Sequence, residues 1–499
     1  MYRLHEKRQK QETMFRTFFN VDHDIDMTNR WVVLANMMPW VEIEEKFCGL
    51  FVRGGKPAYS IRVALGTLII KEKLNLSDEE TVAQITENPY LQYFLGFDQY
   101  STRRPFDPSS LTHFRKRFNS EVMSEINEMI FLASSKSHDK DNDDDESSSG
   151  SGGRVEEVEK PELGEPHGDL ILDATCTPAD IHYPTDITLL NDGREILETV
   201  IDVLHQPFIG KHRKPRDYRE GARRHFLLFT KQRRPGRKQI RATIRRQLGY
   251  VGRDLKIVKN MLEYSSLEHL DHIIYQKLLV VSELYRQQRL MYKQEIHKVE
   301  DRIVSIHQPH IRPIVRGKAG ADVEFGAKVL ISVQNGFSHV ERIDFNNFNE
   351  GKYLIQSVEA YRDRYGHYPA RILADKLFRT RENYRYCKEN GIKVSHFKLG
   401  RPPKNLSGEQ IREERQEEGL RNEVEGKFGT GKRKYTLSRL LTRLPVTTAA
   451  QIVLTFLVMN LDKVYRDFLF SFFKVHLFWQ TVSLFDPDYV GSQNNAIFQ

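Results

Sequence analysis

Residues 170–186 read LILDATCTPADIHYPTD, an apolar strand that carries an aspartate, Asp173, at its fourth position. A turn-rich segment follows directly, with threonine, proline and aspartate at the places that end a strand. A strand of this composition belongs in the middle of a sheet, where a lone ionised carboxylate is costly to bury. Asp173 therefore requires partners elsewhere in the chain.

A second apolar strand ends in the same way, because RILADKLF at residues 371–378 carries Asp375. In open α/β sheets, functional side chains gather beyond the carboxyl ends of the strands. Two adjacent carboxylates would repel each other, and a divalent cation such as Mg²⁺, which prefers oxygen ligands, would relieve that repulsion. Aspartates at strand ends are also common as turn formers and caps, so the pair by itself leaves both interpretations open.

A third acid is predicted on a helix at residues 419–435, GLRNEVEGKFGTGKRKY. Arg421 and Glu425 stand four residues apart and share one helix face. Lys432 joins that face if the helix continues through the intervening glycines, which weaken helices. A carboxylate flanked by two cations suits a site for metal and phosphate together, although an Arg–Glu pair one turn apart is more often a surface ion pair.

The elements between these motifs predict a mixed sheet. Two apolar runs flank Asn335-Gly336 within residues 327–345, which is a strong hairpin signal. Further elements are predicted in alternation after the hairpin: helix 352–365, strand 371–378, helix 380–390 and strand 392–399. Together with the strand of Asp173 they predict an α/β fold with helices flanking the sheet.

Residues 1–133 read as mainly helical, with a serine-capped helix at 60–74, a capping box at 77–80 and a basic helix within 107–118. Short helices with a basic one among them are compatible with a helix-turn-helix-like DNA-binding unit. A small helical bundle with solvated basic residues explains this segment as well. The acidic, Ser- and Gly-rich residues 134–166 predict a disordered linker.

Positive charge is concentrated in one segment of the 499-residue chain. The net charge is +8, but residues 211–246 contain fifteen lysines and arginines against two acids, so this segment carries +13 and the remainder −5. Such clustering favours a polyanionic partner. The segment lies within residues 191–312, which read as a basic helical insertion with a long helix from about residue 267 to residue 303.

Cysteine usage and hydropathy indicate in which cellular compartment the protein works and whether it spans a membrane. The three cysteines stand far apart without a CxxC pair, which argues against a disulfide framework and favours a reducing compartment. The first residues have no apolar run, so no signal peptide is expected. The uncharged run at 444–461 is at the short limit for spanning a bilayer and is predicted to be a buried helix, with no membrane partner. His182, His205 and Cys176 are interpreted as turn or core residues.

Taken together, the motifs resemble DDE-type transposases of bacterial insertion sequences. The resemblance rests on LILDATCTPADIHYPTD, RPIVRGKAGADVEFGAKVLISV at residues 312–333, ILADKLFRTREN and RNEVEGKFGTGKRKY. The resemblance covers about residues 30–485. It is strongest to the branch of the family in which a helical insertion follows the first strand of the sheet. It implies a ribonuclease-H-like core preceded by an all-α domain.

The resemblance assigns three catalytic and metal-binding acids: Asp173, Asp375 and Glu425. In the family's third motif a Tyr, an Arg, the Glu and a Lys recur at set intervals. Arg421, Glu425 and Lys432 fit those intervals, but Glu418 occupies the position of the Tyr, which affects one substrate-positioning contact. Glu423 competes for the role of third acid, yet it points about 200° around the helix from Glu425, so at most one of them faces the metals.

The resemblance further implies that two Mg²⁺ ions, for which Mn²⁺ can substitute, promote hydrolysis at the element end and joining of the freed 3′-hydroxyl to target DNA. The implied partners are double-stranded DNA, as terminal inverted repeats and as target, and a second copy of the chain in a synaptic homodimer. The implied location is the bacterial cytoplasm, on the nucleoid. Phosphate contacts are expected from Arg421, Lys432 and the basic segment, through Arg213, Lys214, Arg223, Arg224, Arg233, Arg234, Arg237 and Lys238.

Domain bounds follow from these patterns: 1–133 for a helical N-terminal DNA-binding domain, 134–166 for the linker, 167–190 with 313–485 for the catalytic domain, 191–312 for the insertion and 486–499 for a C-terminal tail. Two alternatives remain open. One is a DNA-binding protein that retains the fold without chemistry, and the presence of all three acids argues against it. The other is a nuclease that cuts without joining, and the long basic insertion favours synapsis of two DNA ends instead.

Overall fold

The computed structural model of the protein describes residues 25–51, 59–140, 165–318, 321–394 and 408–485. Most of the predicted linker, residues 141–164, and the predicted C-terminal tail lie outside these ranges. The first residues assigned to the linker, 134–140, belong to a helix that the structure describes as far as Lys140. The helical region therefore continues past residue 133.

Within the described residues, seven α-helices form the N-terminal region. They are α1 (Arg30–Met37), α2 (Trp40–Phe47), α3 (Ile61–Leu74), α4 (Asp78–Glu87), α5 (Pro89–Phe94), α6 (Ser110–Arg117) and α7 (Ser120–Lys140). The side chains of Ser60 and Ser77 accept hydrogen bonds from backbone N–H groups in the first turns of α3 and α4, as the capping signals predicted. Pro89 begins α5 and separates it from α4.

A mixed six-stranded sheet follows these helices. Its strands are β1 (Asp169–Pro178), β2 (Arg312–Lys318), β3 (Ala321–Gln334), β4 (Phe337–Asp344), β5 (Arg371–Ala374) and β6 (Lys393–Val394). Strand β3 is antiparallel to β1, β2 and β4, whereas β5 is parallel to both β1 and β6. The order β2-β3-β1-β5-β6, with β4 also paired to β3, places β1 in the interior of the sheet. Its apolar sequence predicted that position.

The predicted hairpin is confirmed, while one predicted strand is shorter than expected. Asn335 and Gly336 both have positive φ, 47° and 77°, as the tight turn between β3 and β4 requires. Strand β5 ends at Ala374, because the next residues form a 3-10 helix, Lys376–Phe378, which the Asp375 side chain caps. Strand β2 was not predicted, and the strand predicted at 392–399 is described only as far as Val394.

Four helices between β1 and β2 form a unit with its own hydrophobic core. They are α8 (Asp186–His205), α9 (Arg219–Thr230), α10 (Arg237–Met261) and α11 (His272–Gln294). Leucine, isoleucine and valine side chains of α8, α10 and α11 fill that core, whereas α9 buries only Ala222. The helix predicted to reach residue 303 ends at Gln294, since Glu295 adopts the left-handed conformation that terminates helices.

Four later helices cover the sheet: α12 (Leu354–Tyr365), α13 (Arg381–Glu389), α14 (Gly408–Lys434) and α15 (Pro445–Phe485). Helices α12 and α13 pack on one face, while α14 and α15 pack on the other. Among the described residues, one stretch, Pro445–Ser471 of α15, is long and apolar enough to cross a membrane. Since 67% of its most apolar window is buried inside the protein, this stretch packs as the predicted core helix.

The N-terminal helices and the sheet share one hydrophobic core. Trp31 of α1 and Ile331 of β3 belong to the same buried cluster, with α15 packed between the two regions. A buried amide joins them as well, because Asn460 of α15 donates to Asn127 Oδ1 of α7 and to the carbonyl oxygen of Ser338, each at 2.8 Å. The helical region is therefore held against the sheet.

Candidate active site

The register of the sheet brings Asp173 and Asp375 side by side. Strands β1 and β5 run parallel and their last paired residues are Leu172 and Ala374, so each aspartate is the next residue on its strand. Alternation of side chains puts both aspartates on the face that α14 covers. From Asp173 onward β1 pairs, among the described strands, only with β3, which leaves its other edge open beyond the end of β5.

Glu425 reaches the same edge of the sheet from α14. Val424 and Phe428 are buried in the core between α14 and the sheet, and they fix the rotation of the helix. Arg421 Nη1 lies 3.8 Å from Asp375 Oδ1, and its Nη2 lies 3.4 Å from Glu425 Oε1. The guanidinium group thus lies between two of the three predicted acids.

Helix α14 continues through its glycines, as the predicted position of Lys432 requires. Lys432 Nζ donates a hydrogen bond to Thr175 Oγ1 at 3.0 Å. Thr175 stands two residues after Asp173 on β1, and so lies on the same face of the strand. Arg421, Glu425 and Lys432 therefore share one helix face over the end of β1, the arrangement that their spacing predicted.

Two other acids of α14, Glu423 and Glu418, lie elsewhere. The carboxylate of Glu423 lies beside Gly336 at the turn between β3 and β4, and its charge acts on Lys427. Glu418, at the position of the family's Tyr, is exposed. This geometry favours Glu425 over Glu423 as the third acid.

The three acids line one cavity of about 560 Å³. Its lining contains four carboxylates and two cations: Asp173, Glu350, Asp375, Glu425, Lys328 and Arg421. Two of these residues, Glu350 and Lys328, were not predicted from the sequence, and their Oε1 and Nζ atoms lie 2.8 Å apart. A glutamate in the first turn of a helix is common, so nothing in the sequence distinguished Glu350.

The environment of Asp173 opposes its ionisation. Burial raises the pKa of Asp173 to about 6, and the negative charges of Glu350 and Asp375 act in the same direction. The backbone N–H of Ala174, which donates to Asp173 Oδ1 at 2.8 Å, and the charge of Arg421 oppose the rise. Added positive charge in the cavity would restore the ionised carboxylate.

The donor set fits a hard divalent cation. Carboxylate oxygens are the ligands that Mg²⁺ prefers, and the lining carries more negative than positive charge. In the part of the chain that the structure describes, no three His, Cys, Asp or Glu side chains already form a ligand group. The guanidinium of Arg421 is the partner of Asp375 and Glu425 instead, and a bound cation would take over that role.

The basic segment, residues 211–246, is largely exposed and includes α9 and the start of α10. Within the described residues, most of the predicted phosphate-binding side chains are exposed without an acidic partner: Arg213, Arg223, Arg224, Arg233, Arg234, Arg237 and Lys238. Lys214 differs, because its Nζ lies 2.5 Å from Asp202 Oδ1. Arg219 is also paired with Asp202, so these two cations fasten the segment to α8.

The other residues discussed in the sequence analysis lie in the core, in a loop or in an ion pair between helices. Cys176 and His205 are buried, and His182 lies exposed in the loop between β1 and α8, which agrees with their interpretation as turn or core residues. Arg115 of the basic helix α6 forms two hydrogen bonds to the carboxylate of Asp78, at 2.9 and 2.7 Å. This arginine stabilises the packing of α4 against α6.

Two regions of the chain match known families. Residues 19–117 match the family Transposase domain (DUF772), and residues 372–462 match the family Transposase DDE domain. The second match contains Asp375 and Glu425, whereas Asp173 lies outside both. The chain is also similar to an uncharacterized protein, ORF8 in the nfe locus, of Rhizobium meliloti. The two are 30% identical over 177 residues, which cover 36% of this chain and 75% of that protein.

No solved structure matches the chain. The mixed sheet with carboxylates at its edge, and a basic helical unit inserted after β1, defines an α/β protein suited to act on nucleic acid. With the family matches, the chain belongs to the DDE transposases of insertion sequences.

Proposed function

We propose that the protein catalyses DNA cleavage and strand transfer at the ends of an insertion sequence, with Asp173, Asp375 and Glu425 as its catalytic and metal-binding acids. One observation carries this proposal. Asp173 and Asp375 follow paired positions on parallel strands, and Glu425 lines the same cavity from α14. Three acids from distant parts of the sequence thus meet where a phosphodiester could enter.

The order of the strands supports a ribonuclease-H-like core. The antiparallel strands β1, β3 and β4 precede the parallel strands β5 and β6, and the spatial order is β4-β3-β1-β5-β6. Helices α8–α11 interrupt this core after β1. We therefore assign strands β1–β6 with helices α12–α15 to the catalytic core, helices α8–α11 to the insertion and helices α1–α7 to a helical DNA-binding region.

Two Mg²⁺ ions, or Mn²⁺ in their place, would be held by the three carboxylates and would supply activation of the attacking oxygen and neutralisation of the leaving oxygen. In cleavage, a water oxygen bonds to phosphorus while the bond to the 3′-oxygen breaks, and that oxygen takes up a proton. In joining, the same 3′-hydroxyl loses its proton, attacks a target phosphodiester and displaces the target's 3′-oxygen. Arg421 and Lys432, on the cavity face of α14, would bind the phosphate oxygens.

The first test compares full-length variants on linear DNA that bears the element's own ends, with Mg²⁺ or Mn²⁺ present. Asp173→Asn should lose cleavage and joining but retain DNA binding, because the amide keeps the size of the side chain without its charge. Glu423→Gln is the matched control, since Glu423 faces the turn between β3 and β4, and it should retain both reactions. Cleavage by Asp173→Asn would refute the assignment, and wild-type protein that binds without cutting would favour a binding role alone.

We assign most of the contacts with the DNA backbone to the basic segment. Four of its exposed cations can be replaced together by glutamine: Arg233, Arg234, Arg237 and Lys238. Removal of each cation that binds a phosphate should reduce the slope of log affinity against log salt by about 0.9. The control Arg286→Gln removes an exposed arginine that is paired with Glu283, and should leave the slope unchanged. An unchanged slope in the fourfold variant would refute the assignment.

The proposed partners are double-stranded DNA, as terminal inverted repeats and target, and a second copy of the chain that holds the other DNA end. The proposed setting is the nucleoid in the bacterial cytoplasm. Light scattering with a short end-sequence duplex tests the assembly, and a mass of two chains with two duplexes is the expected result.

A further inference from the structure

Glu350 is a buried acid that the proposed function does not use. Only 7% of the residue is exposed, yet it lines the same cavity as Asp173 and Asp375. Glutamates are seldom buried to this extent unless a cation or several hydrogen-bond donors compensate them. It also lies outside both segments that match transposase families.

Lys328 of β3 compensates the charge of Glu350. Its Nζ lies 2.8 Å from Glu350 Oε1, and it also donates to the carbonyl oxygen of Phe348 at 2.7 Å and to Asn347 Oδ1 at 3.2 Å. The same ammonium lies 4.8 Å from the centre of the Phe348 ring. The ammonium therefore has other partners, and it could keep them if the Glu350 carboxylate turned to another cation.

The backbone around Glu350 is fastened to the loop that carries Asp375. Asn383 is buried, and its amide nitrogen donates to the carbonyl oxygens of Gly351 and Phe378, at 2.7 and 2.8 Å. Gly351 also packs against this loop so closely that a Cβ atom would collide with it. Glu350 and Asp375 therefore keep a fixed relation to each other across the cavity.

The charge of the lining is not balanced within the protein. Four carboxylates stand against the two cations Lys328 and Arg421, so two negative charges lack compensation by the side chains that line the cavity. A site with excess carboxylate charge attracts divalent cations.

We propose that Glu350 is a fourth carboxylate ligand of the divalent cations, and that Lys328 is its counter-ion only while the site lacks metal. The inference rests on the proposed function and deepens it, because it adds a ligand from a 3-10 helix, Glu350–Tyr353, that directly precedes α12. Lys328 then competes with metal, so its removal should strengthen metal binding. A purely structural ion pair would affect stability alone.

Direct Mn²⁺ binding to the full chain without DNA, followed by electron paramagnetic resonance of free Mn²⁺, tests the proposal. Glu350→Gln should weaken Mn²⁺ binding by about tenfold or more, as loss of a metal-site carboxylate does. Lys328→Met should tighten it. Both variants lose the same ion pair, so a purely structural role predicts a lower urea midpoint in both and no change in Mn²⁺ affinity in either. That result would overturn the proposal.

Asp173→Asn in the same titration separates this inference from the proposed function. If Asp173→Asn weakens Mn²⁺ binding and Glu350→Gln does not, the three-acid site stands and the role of Glu350 fails. If wild-type protein binds no Mn²⁺, or Asp173→Asn binds it as wild type does, the proposed function itself fails. Should Glu350→Gln not fold, Lys328→Met decides, since unchanged or weaker binding in that variant contradicts competition.

Discussion

Replacing Asp173 by asparagine should stabilise the protein when no divalent cation is present. Burial, with the charges of Glu350 and Asp375, raises the pKa of Asp173 from 3.8 to about 6, so the folded state holds the proton more tightly than the unfolded chain does. The free energy of unfolding of the wild type should therefore fall as the pH rises from about 4 to about 6. Above that window the ionised acid costs the folded state about 3 kcal/mol, at about 1.4 kcal/mol per pKa unit.

Urea unfolding in EDTA between pH 4 and pH 8 measures this difference. Asp173→Asn should exceed the wild type by up to about 3 kcal/mol at pH 7.5, and the difference should shrink to about 0.5 kcal/mol near pH 4, where the wild-type acid is protonated in the folded state and partly protonated in the unfolded chain. Mg²⁺ should then raise the free energy of unfolding of the wild type at pH 7.5 and leave the variant almost unchanged, because a ligand stabilises only the state that binds it.

Asp254 on α10 provides the control, since burial raises its pKa to about 7 and it lies outside the cavity. Asp254→Asn should also stabilise the metal-free protein at pH 8, but should respond to Mg²⁺ as the wild type does. If Asp254→Asn stabilises the protein and Asp173→Asn does not, the account of the electrostatics around Asp173 is wrong.

Three further substitutions test the packing by their effect on the urea midpoint. Gly351→Ala should destabilise the protein and weaken Mn²⁺ binding, because a Cβ atom would collide with the carbonyl oxygen of Leu377 in the loop of Asp375; unaltered stability would refute that close contact. Gly419→Ala should stabilise it by about 1 kcal/mol, since this glycine of α14 has open space around it and alanine favours helix; a loss would show that α14 is not helical there. Asn460→Ala should cost about 2–4 kcal/mol, because it leaves Asn127 Oδ1 and the backbone N–H of Ser338 without their partner in the buried network; a loss below about 1 kcal/mol would contradict the buried network.

Local sequence features predicted most of the residues proposed for the site. An aspartate at the end of an apolar strand is a local feature, and so is an Arg–Glu–Lys spacing that matches a helix face, because side-chain direction follows from the period of the element. The sequence left open whether α14 survives its glycines, since their intrinsic cost opposes a helix that packing of Val424 and Phe428 stabilises. Glu350 carried no local signal.

Local sequence predicts most of the strands and helices, the hairpin turn and the concentration of positive charge, because these depend on neighbours a few positions apart. The adjacency of Asp173 and Asp375 depends on the fold, since their proximity is set by the parallel register of β1 and β5. The tertiary structure also decided that Glu350 and Lys328 enter the same cavity and that the N-terminal helices share a core with the sheet. Such contacts join distant parts of the chain, and their energy comes from burial and charge that exist only once the chain has folded.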